Sequence, residues 1–321
     1  MQPEFSFRKL IPTEDADLAA AFVNDFAPDH STDGRDLQRS WSLDSGRGVT
    51  ERIIATLDSR PVGYLGLHEN VHTDEPGVFE ISLRVMNRDL SLWPSLFDQF
   101  MEQKVMVHGP QKVQIWLRTT QPTLTETVRA RGFTFEQSNA FSSLNPQEFD
   151  DTPFLLQIEK AKGGGFVLRT VKDLMTESES WLKEIYDSTM EVWRDVPMPT
   201  PFVPEPIEEF EQYLREFDDE WPTSWTAVSG SKIVGIAAIY PNKVDRTLAH
   251  TGLTGVLRSH RRLGIATWLK VNAIMQAREM GVVRLLTDNE ENNPMLGLNG
   301  ALGFRRDYEG ICWGKRFSSG E

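Results

Sequence analysis

One cysteine, Cys312, stands in a chain of 321 residues. A single thiol excludes an internal disulfide and points to a reducing compartment. The six histidines are scattered without paired-ligand spacing, which argues against zinc. No apolar run approaches the roughly 18 residues of a membrane span. The opening Met-Gln-Pro-Glu-Phe-Ser-Phe-Arg lacks the charged-then-apolar order of an export signal. Basic residues are outnumbered: 34 Lys and Arg against 47 Asp and Glu leave a net charge of −13. Such a chain lacks the basic footprint of a nucleic-acid binder and is repelled by anionic lipid surfaces. These absences predict a cytoplasmic protein with neither a nucleic-acid nor a membrane partner.

What is present is ordinary globular material, 39% hydrophobic and 25% charged, in a length that accommodates two domains. Much of the acid falls between Glu205 and Glu220. That run reads either as a solvated helix face or as the lining of a site for a cationic group such as an amine. The chain also repeats one plan. Residues 5–145 and 166–317 each run strand, helix, hairpin, strand, helix, and later a Gly-Phe pair, Arg131-Gly132-Phe133 and Leu302-Gly303-Phe304. The second hairpin is expected around Ser229-Gly230-Ser231. Between the copies, Asp150-Asp-Thr-Pro and Lys162-Gly-Gly-Gly have linker composition. The division expected is therefore 1–150, a linker at 151–165, and 166–321.

The most specific stretch is Val256-Leu257-Arg258-Ser259-His260-Arg261-Arg262-Leu263-Gly264-Ile265-Ala266. An apolar strand pattern from Leu248 ends there, and a helix pattern follows to about Met280. Strand, basic turn and helix N-terminus together suit a phosphate, because first-turn N–H groups point outward and the macrodipole adds roughly half a positive charge. Gly264 is expected to let the backbone approach a pyrophosphate, with Arg261 and Arg262 adding mobile charge. Downstream, Val282–Thr287 reads as a buried strand, followed by Asn292, a short helix from about Pro294, and Gly303 as its stop.

This order of strand, Arg-x-x-Gly-x-Ala turn, helix, strand, Asn, short helix and Leu-Gly-Phe resembles the GNAT superfamily of acetyl-CoA-dependent acyltransferases. The resemblance covers roughly residues 166–317 and is most specific at 256–304. With the repeat, it implies two tandem mixed α/β domains, each a twisted mixed central sheet flanked by helices, an architecture similar to that of mycothiol synthase. It implies acetyl-CoA as cofactor, held by the backbone at Val256 and Leu257 and by the turn and helix start through Arg261, Arg262, Leu263, Gly264, Ile265, Ala266 and Thr267. Asn292 matches an Asn common in the family before the last helix, and is also a natural N-cap.

For catalysis, the resemblance points to the position eleven residues before Arg261 as a general base. Here it is His250, and imidazole accepts protons near neutrality. Many family members carry a Tyr four residues before the Gly of Leu-Gly-Phe. Here that residue is Asn299, which is not an acid, although it can hydrogen-bond a sulfur or a water; Tyr308 is the nearest tyrosine. The Pro-rich loop Trp193–Pro204 offers Trp193, Met198 and Phe202 as walls and Asp195 and Glu205 as ammonium acceptors, or simply packs the two halves.

The copies differ at the turn. Aligning Val85 with Val256 sets Leu90, Trp93 and Ser95 against Arg261, Gly264 and Ala266. The first copy is therefore expected not to bind cofactor in the family's manner but to be structural, shielding a sheet edge and shaping the acceptor site, or else to take a different ligand. The expected activity is N-acetylation of a primary amine on a small molecule, in a monomer or homodimer. The alternatives are a protein or peptide N-acetyltransferase and a coenzyme A or small-ligand binding protein without turnover.

Overall fold

The computed structural model describes residues 3–44 and 46–317. Strand β1 (Ser6–Lys9) leads into α1 (Pro12–Phe26) and α2 (Gly34–Ser42). Then come β2 (Thr50–Leu57), β3 (Arg60–Glu69), β4 (Val78–Val85), α3 (Trp93–Phe100), β5 (Lys112–Arg118), α4 (Pro122–Ala130) and β6 (Thr134–Leu144). After α5 (Leu155–Gly163) the order recurs as β7 (Val167–Thr170), α6 (Val171–Glu177), α7 (Trp181–Trp193), α8 (Ile207–Glu216), β8 (Ser224–Ser229), β9 (Lys232–Pro241) and β10 (Leu248–Val256). It closes with α9 (Ile265–Glu279), β11 (Arg284–Glu290), α10 (Pro294–Ala301) and β12 (Arg305–Arg316). The expected mixed α/β class and the duplicated plan are both present.

Local chemistry explains several of these boundaries. Pro12 opens α1, where its missing N–H is no loss, and Glu14 and Asp15 lie in the positive first turn. Asp33 caps α2 by accepting from the Asp36 N–H. Thr170 and Asp173 form a reciprocal capping box on α6. Alternating burial along β4, with Phe79, Ile81, Leu83 and Val85 inward, is the period-two signature of a strand with one apolar face.

The chain forms two compact units that are discontinuous in sequence. The first comprises residues up to Ser138, Met198–Val203, and the chain from Tyr308 onward; the second comprises Asn139–Pro197 and Pro204–Asp307. In the first unit β1, β2, β3 and β4 pair antiparallel in turn. β4 then pairs parallel with β5, and β5 pairs antiparallel with Gly310–Arg316 of β12. Trp313 thereby enters the core built by Leu65, Leu83, Trp93, Phe97 and Ile115.

In the second unit β7, β8, β9 and β10 pair antiparallel in turn, β10 pairs parallel with β11, and β11 pairs antiparallel with Asn139–Leu144 of β6. The last strand of each copy thus completes the sheet of the unit built on the other, so the compact units depart from a cut at 150. The stretch 151–165, read as a linker, is largely helical. Ile158 and Ala161 of α5 are buried in the cores that α9 also builds.

Candidate functional site

The second unit's sheet opens at β10. β10 pairs with β11 only over Leu248–His250 against Arg284–Leu286. Against β9 its register shifts between Thr251 and Thr254, a bulge that bends the strand. A hydroxyl bond from Thr251 to Thr287 (2.8 Å) is the last tie across the pair, and from there β10 continues along β9 alone. Two parallel strands that part in this way expose edge backbone groups to a ligand.

The end of β10 feeds the basic turn. Arg262 and Gly264 both have left-handed backbone, φ 65° and 86°, and Gly264 occupies the N-cap of α9, where no side chain caps the helix. The first-turn N–H groups of an uncapped helix make a natural anion cradle. Ile265 is buried in the core, whereas Ala266 and Thr267 are half-buried at the surface of the first turn. Leu263 packs partly against the same core.

Three parts of the motif do something different from what the sequence suggested. Arg261 is held down. Its Nε donates to the Val256 carbonyl at 3.0 Å and its guanidinium pairs with Asp195, which Arg258 also grips through Nε at 2.9 Å. Arg258 first, and then Arg261, hold the Asp195 carboxyl below the ordinary range. So Asp195, just past α7, ties the turn in place and is already engaged by two guanidinium groups. At Gly264, a Cβ would lie 2.2 Å from the Gln157 carbonyl oxygen of α5. The glycine is demanded by α5 and by its φ, before any ligand is considered. Thirdly, the Leu257 N–H is taken by the Val234 carbonyl at 2.9 Å, and the Val256 carbonyl by Arg261.

The remaining candidates are dispersed. His250 is half-buried at the last paired position of β10, opposite Leu286. Asn293, rather than Asn292, caps α10 by accepting from the Met295 N–H, because Pro294 fixes the first helical position. Asn292 instead donates its backbone and side-chain N–H groups to Glu290, at 2.7 and 2.8 Å. Asn299 is buried, and its Nδ2 donates to Asn289 (2.6 Å) and Thr287 (3.4 Å). Its Oδ1 is buried without a hydrogen-bond partner. Tyr308 lies in the first unit, its hydroxyl donated to Asp29 at 2.6 Å.

Of the Pro-rich loop, Met198–Val203 belongs to the first unit, where the Val203 N–H donates to the His72 carbonyl at 2.8 Å. Sequence reasoning missed Gln157 and Lys160 of α5. The Lys160 amine donates to the Arg262 carbonyl at 3.1 Å, and neither residue carries a local sequence signal.

In the first unit the matching turn is filled. Trp93 is fully buried, its indole N–H bonded to the Leu83 carbonyl at 3.3 Å and its ring stacked on Phe97 at 5.1 Å. Asp89, in the short helical turn ahead of α3, pairs with both Nη atoms of Arg60 at 3.0 Å. A buried ring, with an acid just ahead of it, stands where the second unit has its glycine turn.

Splayed parallel strands joined through a glycine turn to an uncapped helix leave backbone groups open along one line, an arrangement suited to an extended anionic ligand. Residues 182–304 match the model of the acetyltransferase (GNAT) family. The whole chain has the tandem GNAT fold. It is similar to a tandem GNAT protein from the clavulanic acid biosynthesis pathway, with TM-score 0.70, 16% identity and 98% of each chain covered. A GCN5-related N-acetyltransferase from Sphaerobacter thermophilus is similar with TM-score 0.64 and 16% identity over 97% of this chain and 95% of that one. A GNAT-family acetyltransferase from Colwellia psychrerythraea follows with TM-score 0.62 and 12% identity over 97% and 100%. No curated protein matches the chain in sequence. Identities this low speak for the fold and leave the substrate open.

Proposed function

We propose that the second unit is an acetyl-CoA-dependent N-acetyltransferase, acting on the primary amine of a small molecule by direct attack in a ternary complex. The observation that carries this reading is the junction of the β10 splay with the uncapped N-terminus of α9. The residues suit the cofactor. With Arg262 and Gly264 left-handed and α9 uncapped, the N–H groups from Arg262 to Thr267 would hold its phosphates. The orphaned Oδ1 of Asn299 is an acceptor that a ligand N–H would satisfy. When bound, acetyl-CoA supplies the activated acyl group.

The protein's own part is positioning and proton transfer. A clamped turn and a rigid splay hold two reactants together, which supplies much of the acceleration in acyl transfer. His250, at the root of the splay, takes the amine proton directly or through one water. With the Leu257 N–H already bonded, donors for the developing oxyanion come from β10 between the bulge and Val256. Neither Asn299, an amide, nor Tyr308, committed to Asp29, is placed as the acid for the leaving group. Water or the proton released by the amine serves instead. Asn299 also favours a second reading, a coenzyme A binding protein without turnover.

The test is an Ala266→Asp variant. Ala266 is half-buried against the core, so a thermal melt first checks that the variant is folded; an acid in the first helical turn favours the helix dipole while opposing a diphosphate. Acetyl-CoA affinity should fall at least about tenfold, the scale of one charged hydrogen bond. Unchanged affinity would remove the assignment of the cradle. Thiol release from acetyl-CoA with a panel of amines then separates enzyme from binding protein.

A further inference from the structure

The first unit has a splay of its own, and its lips are charged. β4 and β5 pair in parallel over Val78–Ile81 with Lys112–Ile115 and no farther. Three residues past the last pair stand Arg84 on one lip and Arg118 on the other. Both share a face with Ser82 and Trp116, since side chains two apart in a strand point the same way. The opposite face, with Leu83, Val85 and Leu117, is packed into the apolar core.

The two arginines differ in what they touch. Arg118 is neutralised. It donates to Asp29 at 2.6 Å and lies over the Tyr308 ring at 4.8 Å, while the Tyr308 hydroxyl donates to the other Asp29 oxygen. Burial opposes ionisation of Asp29, but the bonds from Tyr308 and Arg118 outweigh it and lower its pKa. Arg84 has no carboxylate. Its Nη1 donates to Ser82 Oγ at 2.9 Å and its guanidinium lies over the Tyr64 ring at 5.5 Å. Among the described residues no acid is within ion-pair reach of it.

Desolvation lowers the Arg84 pKa, yet the residue keeps partial exposure and none of its nitrogens is sealed off without a partner. A partly exposed guanidinium with one N–H bonded to Ser82 keeps spare N–H donors. The fold does not demand it, because the aligned position in the second copy is Gly255.

At the open end of the splay Arg84 supplies a positive charge while the Arg118–Asp29 pair cancels; Glu80, farther back on the same face, is bonded by the Asn70 amide at 3.1 Å. A planar fork with spare N–H groups matches a carboxylate in shape and charge. On the facing lip, Trp116 is 38% exposed on the same face, an indole offered to an apolar body. We propose that the first unit binds a small organic carboxylate with an apolar body, its acid on Arg84 and its body toward Trp116. This site stands independently of any cofactor in the second unit.

The test uses the full chain and two probes of one shape, phenylacetate and its neutral amide phenylacetamide, titrated calorimetrically. Phenylacetate should bind at one site per chain, at least about tenfold more tightly than the amide, as for a hydrogen bond to a charged group. Arg84→Gln should erase that preference, Arg84→Lys should keep part of it, and Trp116→Ala should weaken both probes. Equal affinity for acid and amide, no saturable binding of either, or a preference that survives Arg84→Gln would each overturn the proposal. The acid–amide comparison on the unaltered protein decides even if a variant fails to fold.

Discussion

Lys270 lies on α9, one turn beyond the proposed cradle, with 2% of its surface exposed. Its amine sits 5.3 Å from the Phe304 ring centroid, and burial pushes its pKa down to about 7. The unfolded chain therefore binds more protons than the folded one between about pH 7 and 10. Stability conferred at this position rises with pH across that window, and the penalty is largest at and below pH 7. Lys270→Met should raise stability by a few kcal/mol, on the order of the shift itself, at pH 6. The gain should shrink toward pH 10. Denaturant melts at both pH values check this, and a gain independent of pH would contradict it.

His250 belongs to the same scale. His250→Gln should lower kcat far more than it lowers cofactor affinity and flatten the acid limb of the pH–rate profile, since imidazole must be neutral to accept a proton. An unchanged limb would place the base elsewhere. At single positions the sequence was legible only in part. The Arg-x-x-Gly-x-Ala spacing located the turn, because glycine and helix-start chemistry act locally. That Arg261 is clamped by Asp195, 66 residues away, has no local trace.

Elements were more readable than their partners. Hydrophobic periodicity and turn residues marked β10, α9, β11 and α10 within a few residues, since both are local properties of a segment. α5 escaped because its glycines and lysines have the composition of a linker. Ile158 and Ala161 are its buried residues, packed in cores that α9 shares. Its backbone against Gly264 yields a prediction about the ligand-free protein. Gly264→Ala combines a left-handed φ with a Cβ 2.2 Å from the Gln157 carbonyl. It should cost about 1–3 kcal/mol in a thermal melt without cofactor. An unshifted melt would mean that the glycine serves only a ligand.

Across the whole molecule the repeat was legible and the exchange of last strands was not. A strand's alternation states which face is buried, never which strand lies beside it. Because Gly310–Arg316 pairs with β5 and Trp313 enters the first unit's core, residues 1–150 alone lack part of their sheet and core. Expressed alone they should aggregate or bind a hydrophobic dye, whereas a well-ordered soluble fragment would contradict the exchange. Half of the acids in the run Glu205–Glu220 lie on α8, whose buried residue is Phe210. Among the described residues no helix is long and apolar enough to cross a membrane, and no cluster of ligands suits a metal.

The central claim is one cofactor cradle, in the second unit, with the first unit's turn filled by Trp93 and Asp89. Calorimetric titration of acetyl-CoA into the intact chain and into the Ala266→Asp variant tests it most directly. One site per chain, lost in the variant, is the expected result. Two sites, or one site that Ala266→Asp leaves untouched, would contradict it.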